Sequence, residues 1–266
     1  MKCRRLAAAL AAGVLISSVP ALADDNGSGR LVEIAGGRKL YIECRGTGRP
    51  TVILQSGYRN NAAVWSAHEP GDPVPQPRTA LEIADEMHAL LRTAQVPGPY
   101  VLVGHSFGGL FVRLYASLHP GKVAGLVEVD ALNEFLEPLL TPDEWDYYDQ
   151  INTDPPPGIG DYPELEVIDF RGAFAQMRQA ERLDPLRRMP IVVLSKGRSF
   201  EFPPGVPQDF QDALNRAWAT SQDHLARHLP HGRHILARRS AHFIQIDQPG
   251  LVIRAIRQVV KEVRGH

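Results

Sequence analysis

Apolar positions along the chain follow two different spacings. Runs of consecutive apolar residues, such as Tyr100 to Val103 and Val123 to Val129, are typical of strands buried on both faces of a sheet. Over 79–95 and 107–118, apolar residues recur instead every three or four positions, which predicts amphipathic helices. Strands that alternate with helices indicate a mostly parallel sheet with helices on both faces. The predicted fold class is therefore α/β.

The remaining elements extend this pattern towards both ends of the chain. Gly36-Gly37 separates two short alternating runs, which predicts a hairpin at the start of the domain. The Thr51–Leu54 run is interpreted as another strand buried on both faces. The full set of further predicted strands is Leu31–Ile34, Leu40–Cys44, Thr51–Leu54, Ile191–Leu194 and His234–Ala237, with later helices at about 208–229 and 249–263.

One segment, about residues 131–189, interrupts the alternation. It is far longer than a strand crossover requires. It combines helical stretches with a turn-rich run at 154–158 and an aromatic cluster of Trp145, Tyr147 and Tyr148. We interpret it as a helical cap inserted over the carboxyl edge of the sheet. The aromatic cluster either lines an acyl pocket or packs the cap on the sheet, and the sequence leaves both readings open.

The first 23 residues have the three parts of a secretory signal peptide. A basic start precedes the apolar stretch Leu6–Ile16, and Ala21-Leu22-Ala23 is a small-residue cleavage site. The apolar stretch is well short of the roughly 20 residues that a spanning helix needs, so stable membrane insertion is not expected. The predicted organisation is a signal peptide at 1–23 and one α/β domain at 24–266, secreted or periplasmic.

The charge balance bears on the class of partner, and the cysteine content bears on how the fold is stabilised. The 29 Lys and Arg residues against 30 Asp and Glu give a net charge of -1, without a long basic run, so nucleic acid is not an expected partner. Removal of the signal peptide takes away Cys3 and leaves Cys44 as the only thiol. An internal disulfide is then impossible, and the hydrophobic core must supply the stability.

The segment Gly104-His105-Ser106-Phe107-Gly108 matches the pattern G-x-S-x-G between a predicted strand and a predicted helix. In a nucleophile elbow of this kind the serine sits on a sharp, strained turn, where side chains in place of the two glycines would clash with neighbouring backbone. The turn lifts Ser106 to the edge of the sheet. The alternative is a glycine-rich turn with an incidental serine.

With these motifs the sequence resembles the α/β-hydrolase family, and more narrowly a group of bacterial secreted serine hydrolases. The resemblance is carried by Pro97–Gly109, Arg113–Ala116, Leu126–Asp130 and Ala241–Gln245. It implies the α/β-hydrolase fold for nearly the whole mature chain. It also implies the chain order nucleophile, acid, histidine.

That order assigns candidate partners to Ser106. His242, between the last predicted strand and the last helix, is the candidate general base. Asp130 is the candidate acid, because the strand ending at Leu194 is followed by no carboxylate before Glu201. Glu201 and Glu134 are reserve candidates for the acid. The alternative role for Asp130 is to cap the following helix.

The resemblance also places two backbone N–H donors for an oxyanion, those of Phe107 and Tyr58, with Gly57 permitting close approach. His105 adjoins the nucleophile, but adjacent residues on a turn point apart. We therefore expect His105 to have a packing or hydrogen-bonding role. No cofactor is required by this chemistry.

A histidine-rich stretch offers a competing site. His224 and His228 lie four residues apart on a predicted helix, with His231 and His234 beyond, a spacing that could bring two imidazoles to one metal. No carboxylate or thiol completes a ligand set convincingly. A solvated helix end is therefore the preferred reading, and no metal is expected.

The chain departs from its relatives before the segment Pro75–Thr79. Relatives usually carry another buried strand there, whereas here only 67–74 intervenes, with two prolines and no apolar run. In the family that strand lies between the strands corresponding to Leu40–Cys44 and Thr51–Leu54. Its loss leaves either a gap or a re-paired sheet.

These observations predict a serine hydrolase that cleaves a small-molecule carboxylic ester through an acyl-enzyme. An amidase or peptidase on the same triad is one alternative, and a non-catalytic binding protein with this fold is another. Dehalogenases and epoxide hydrolases of this fold use an aspartate nucleophile, so Ser106 argues against them. The sequence leaves the acyl-chain length and the oligomeric state open.

Overall fold

The structure is a computed structural model that describes residues 29–58, 72, 75–153, 166–182, 186, 189–202, 204–229 and 232–265. The predicted signal peptide lies outside the described residues. So does nearly all of 67–74, where the missing strand of the relatives would fall.

A parallel sheet of five strands forms the centre of the described part of the chain, in the order β3-β4-β5-β6-β7. The strands are β3 (Thr51–Gln55), β4 (Tyr100–His105), β5 (Val123–Val129), β6 (Ile191–Lys196) and β7 (Gly232–Ala237). In the register, Gly104 lies opposite Glu128, and His105 lies opposite Val129. The ends of β4 and β5 therefore bring Ser106 and Asp130 to the same edge of the sheet.

Helices cover both faces of this sheet. They are α1 (Ala80–Thr93), α2 (Phe107–Leu118), α3 (Pro142–Thr153), α4 (Phe170–Glu181), α5 (Gln208–His228), α6 (Ile244–Asp247) and α7 (Pro249–Arg264). Alternate residues of β4 join different cores: Leu102 packs in the cluster of α1, α2 and α5, whereas Val101 and Val103 pack in the cluster of α7. This alternation follows from the period of two in a strand. It confirms the predicted α/β class, and only the short α6 was not predicted.

The hairpin of β1 (Gly29–Glu33) and β2 (Lys39–Glu43) forms a separate antiparallel sheet. Within the described residues, β2 does not pair with β3, so the described strands are not re-paired in the way the sequence analysis allowed. The sequence reading of β3 as buried on both faces is wrong, because Leu54 is 44% exposed and no residue of β3 is fully buried. β3 is the edge strand of the sheet that the described residues form.

The inserted segment between β5 and β6 contributes α3 and α4. Trp145 and Tyr148 of α3 are buried in the core beside Phe170 and Phe174 of α4. Tyr147 packs edge-on against Phe210 of α5, with ring centroids 4.6 Å apart. The aromatic cluster therefore packs these helices on the body of the domain.

The last helix is tied to the loop that leads into β3. The Nε group of Arg264, at the end of α7, donates a hydrogen bond of 2.8 Å to the carbonyl oxygen of Arg49. The contact joins residues 215 positions apart in the sequence. In the described part of the chain, no helix has the length and apolar character needed to cross a membrane.

Candidate active site

Ser106 occupies a strained turn between β4 and α2. Its φ of 54° lies in the left-handed region that L residues rarely adopt. A Cβ atom at Gly104 would lie 2.5 Å from the carbonyl oxygen of Gly108, and one at Gly108 would collide with the carbonyl oxygen of Ser56. The close backbone approach expected of a nucleophile elbow is therefore present, for the predicted steric reason.

His242 and Asp130, the candidate base and the candidate acid, are in direct contact. The Nδ1 atom of His242 lies 2.7 Å from Oδ2 of Asp130, whose side chain is fully buried. The other carboxylate oxygen, Oδ1, accepts a 2.9 Å hydrogen bond from the backbone N–H of Lys196. Asp130 is thus held between β6 and the histidine loop, and its left-handed φ of 43° is maintained by these contacts.

The two reserve candidates for the acid lie elsewhere. Glu134 is buried and forms an ion pair with Arg113 of α2. Glu201 has a side chain that is 83% exposed, and its nearest charged partner is Arg198 at 3.7 Å. Only Asp130 of the three carboxylates contacts His242.

His105 connects the elbow to the histidine loop. Its Nε2 atom lies 3.0 Å from the backbone carbonyl oxygen of His242, and the two rings are 4.6 Å apart. Since a carbonyl only accepts, Nε2 must carry the proton and donate it. Burial, together with the nearby His242, lowers the pKa of His105 to about 3, so this ring stays neutral. The expected hydrogen-bonding role of His105 is confirmed.

Ser106 itself is partly exposed at the end of β4. Within the described residues, no hydrogen bond joins its hydroxyl to the imidazole of His242. In free enzymes such catalytic hydrogen bonds are often long and shorten only when substrate binds.

Aromatic rings surround His242, and these contacts were not anticipated from the sequence. Phe200 lies 5.1 Å, Phe243 5.4 Å and Trp218 5.5 Å from the imidazole, measured between ring centroids. Trp218 is buried, and Phe200 packs edge-on against it at 5.0 Å. The rings restrict the imidazole to few orientations. They also give the surroundings of His242 an apolar character.

The loop after β3 lies directly against the nucleophile. A Cβ at Gly57 would be 2.8 Å from Cβ of Ser106 and 3.1 Å from the carbonyl oxygen of His105. Tyr58 packs near Phe107, with ring centroids 6.1 Å apart, and its hydroxyl donates to the carbonyl oxygen of Asn152 at 2.8 Å. Phe107 is the first residue of α2, so its N–H has no acceptor inside the helix. Both predicted oxyanion donors therefore belong to segments that adjoin Ser106.

The histidine-rich stretch does not converge on one point. His228 contacts Glu181 at 3.0 Å, His234 contacts Ser195 at 2.7 Å, and His224 packs edge-on against Phe135. His231 lies outside the described residues. Within those residues, no group of three or more His, Cys, Asp or Glu side chains could hold a metal ion.

A second set of buried charges lies behind the elbow. Glu128 of β5 is fully buried, and neither of its carboxyl oxygens has a hydrogen-bond partner among the described residues. Burial raises the pKa of Glu128 to about 8, against the opposing effect of Arg113. Arg113 in turn pairs with Glu134 and, at 3.1 Å, with Glu181. No sequence pattern predicted this group, because Glu128 stands within an apolar run.

This fold and site geometry can be compared with known proteins. A family model for the alpha/beta hydrolase fold matches residues 65–178. Esterase RhEst1 from Rhodococcus is similar in structure over 89% of this chain and 99% of its own, with a TM-score of 0.57 and 17% identity. Haloalkane dehalogenase DatA from Agrobacterium tumefaciens C58 matches 89% of this chain and 97% of its own, with a TM-score of 0.64 and 14% identity.

The chain has the α/β-hydrolase fold. Among sequence relatives, the pyrethroid hydrolase of Sphingobium wenxiniae is 30% identical over 132 residues, which are 48% of this chain and 44% of that protein. The chain spans less than two thirds of the length of the curated relatives it matches. It covers 21% of the probable transporter efuK of Hormonema carpetanum and 65% of the protein YqjL of Bacillus subtilis. The likeness to the solved structures shows a shared fold.

Proposed function

We propose that this protein is a serine hydrolase that cleaves a carboxylic ester of a small molecule through an acyl-enzyme. The observation that carries the proposal is the 2.7 Å contact between His242 and a fully buried Asp130, at the sheet edge where the strained Ser106 also lies. A carboxylate on Nδ1 leaves Nε2 free to accept a proton. The esterase among the structural neighbours is consistent with ester chemistry.

In the proposed first half-reaction, Oγ of Ser106 forms a bond to the carbonyl carbon while its proton passes to Nε2 of His242. The carbonyl oxygen becomes an oxyanion, which accepts hydrogen bonds from the backbone N–H groups of Phe107 and Tyr58. Collapse of this intermediate breaks the carbon–oxygen bond of the ester, and the imidazolium returns the proton to the departing alcohol.

In the second half-reaction, a water molecule replaces the alcohol. His242 takes a proton from the water, whose oxygen attacks the acyl carbon. The bond to Oγ then breaks, the imidazolium protonates Oγ, and the carboxylic acid leaves. Asp130 keeps the imidazole in the tautomer with its proton on Nδ1 and stabilises the imidazolium in both halves.

The test is active-site labelling with a fluorophosphonate, which reacts with an activated serine before any substrate is known. We expect stoichiometric labelling at Ser106 by mass spectrometry, and none in Ser106→Ala. Ser117→Ala is a matched control, because Ser117 lies on α2 and bonds only to the carbonyl oxygen of Arg113. A wild-type protein that is folded but not labelled would contradict the proposal.

Substrate preference is tested with paired chromogenic compounds. We expect hydrolysis of p-nitrophenyl esters to exceed that of the matching p-nitroanilides, since the proposal concerns an ester. Faster cleavage of the anilides would instead identify an amidase on the same triad. Labelling without turnover of either series would favour a binding role.

We also propose that the protein acts outside the cytoplasm, on the strength of the signal sequence at 1–23. Expression of the full chain in a bacterial host, followed by fractionation and N-terminal sequencing, tests this. The expected product begins at Asp24 and is found in the periplasm or the medium. A cytoplasmic product that retains residue 1 would contradict it.

A further inference from the structure

The turn that carries Asp130 is anchored by two buried side-chain amides. The carbonyl oxygen of Ala131 accepts hydrogen bonds from Nε2 of Gln222 at 2.6 Å and from Nδ2 of Asn133 at 3.2 Å. Gln222 and Asn133 are each 1% exposed. Gln222 comes from the middle of α5, far along the chain, so the contact fixes the turn against a separate element.

The direction of these hydrogen bonds follows from their shared acceptor, the carbonyl oxygen of Ala131. A carbonyl oxygen cannot donate, so Gln222 must present its NH2 group to Ala131. Its amide oxygen then faces Ser195 of β6, at 3.4 Å from Oγ. Ser195 must therefore donate to Gln222. Ser195 also has a second polar neighbour.

That neighbour is His234 of β7. Its Nε2 atom lies 2.7 Å from Oγ of Ser195, and its Nδ1 atom lies 3.5 Å from a carboxylate oxygen of Asp223. A series of hydrogen-bond contacts thus runs from His234 through Ser195 and Gln222 to the carbonyl oxygen of Ala131.

We infer that Gln222 is a positioning residue for the triad acid: it holds the turn after β5 so that Asp130 keeps its contact with His242. This inference rests on the proposed function for its effect on turnover. Asp130 has a backbone conformation that L residues adopt only when surrounding contacts impose it. The backbone N–H of Asp130 donates to the carbonyl oxygen of Leu194. The next part of the turn, the carbonyl oxygen of Ala131, is held by the side chain of Gln222.

Replacement of Gln222 by methionine tests the inference, because methionine has a similar length and no amide. We expect kcat to fall about ten- to a hundred-fold, because a catalytic group displaced by up to about one ångström loses rate in that range. KM should stay within about twofold of the wild-type value. The acid limb of the pH profile of kcat/KM should move to lower pH, since a displaced carboxylate stabilises the imidazolium less.

Gln211→Met is the matched control. Gln211 lies on the same helix and donates to the carbonyl oxygen of Val206, without contact to the Asp130 turn. It should keep the wild-type kcat and pH profile. If Gln222→Met does not fold, Ser195→Ala removes the donor that orients the amide, and a smaller change in the same direction is expected. Wild-type kcat and an unmoved acid limb in the folded variant would overturn the inference.

A spectroscopic measurement separates this inference from the proposed function. The proton between His242 and Asp130 should give a low-field signal in the proton NMR spectrum of the wild type, and Gln222→Met should broaden or remove it while Gln211→Met does not. A wild-type protein that shows this signal but is not labelled by fluorophosphonate would refute the proposed function alone. An unchanged signal in Gln222→Met would refute the positioning role.

Discussion

His105 donates its Nε2 proton to the backbone carbonyl oxygen of His242 over 3.0 Å. The residue before the candidate nucleophile therefore holds the loop that carries the candidate base. The donor is fully buried and neutral. This bond ties the loop of His242 directly to the end of the strand that carries Ser106.

We expect His105→Phe to reduce kcat about ten-fold or more, because the loop of His242 loses its attachment to the elbow. Steady-state kinetics on a short p-nitrophenyl ester measure the effect. His88→Phe is the control, since His88 stacks on His119 behind the sheet and touches neither catalytic candidate. Unchanged turnover in His105→Phe would show that the loop is held by other contacts.

Asp130→Asn should lower turnover by about a thousand-fold or more. The amide cannot keep the imidazole in the productive tautomer, nor stabilise the imidazolium. The measurement is kcat in Asp130→Asn beside Glu201→Gln, which removes the exposed reserve carboxylate and should have near-normal turnover. If the large loss belonged to Glu201→Gln instead, the acid would have been assigned to the wrong strand.

The buried Glu128 predicts a stability that falls as pH rises. Its pKa is raised in the folded state to about 8, from an ordinary value near 4.5, so the folded chain binds the extra proton between these values. The free energy of unfolding should decline from about pH 5 to pH 9, by on the order of a few kcal/mol. Denaturant titrations at several pH values measure this decline.

The variant Glu128→Gln should show a much flatter dependence of stability on pH above about 5, because the amide does not titrate. Glu33→Gln, an exposed position on β1, should keep the wild-type slope. Equal slopes in the wild type and in Glu128→Gln would show that another group causes the decline.

In the sheet that the described residues form, one side of β3 has no neighbouring strand, so we expect an added strand to raise stability and activity. Insertion of the strand segment of a relative after Ala67 should raise both the melting temperature and kcat, because β3 leads into the loop of Gly57 and Tyr58 against Ser106. Loss of one oxyanion donor typically costs about a hundred- to a thousand-fold in rate.

An insertion of equal length made only of glycine and serine is the control for that experiment, and it should improve neither quantity. Calorimetry and ester hydrolysis give the two readouts. If the unmodified chain already melts as high as a full-length relative and hydrolyses esters as fast, the gap beside β3 is harmless.

The central part of the site could be predicted from sequence because its constraints are local. The glycines around Ser106 are required by backbone contacts within one turn, and the bounds of α2 and β5 follow from an uninterrupted apolar pattern. Asp130 and His242 were found through the chain order of a resembling family, and their direct contact is a property of the fold.

The errors and omissions arise where non-local contacts decide. The Thr51–Leu54 run is as apolar as that of a central strand, but its burial depends on a neighbour that the described sheet lacks. Gln222 stands among polar residues of α5 that resemble a solvated helix face, and only its position against Ala131 reveals a role. Lys196 contributes a backbone N–H, for which side-chain identity carries no signal.

The bond between Arg264 and Arg49 has a consequence for the order of folding. It closes a loop of 215 positions, so it cannot form until α7 has been synthesised and is free to fold. During synthesis β3 can pair with β4 early, whereas the loop that leads into it stays unattached for most of that time. The loop that leads into β3 is therefore among the last segments to make its native contacts. Until then, chaperones and proteases would reach the newly made chain most easily at this loop.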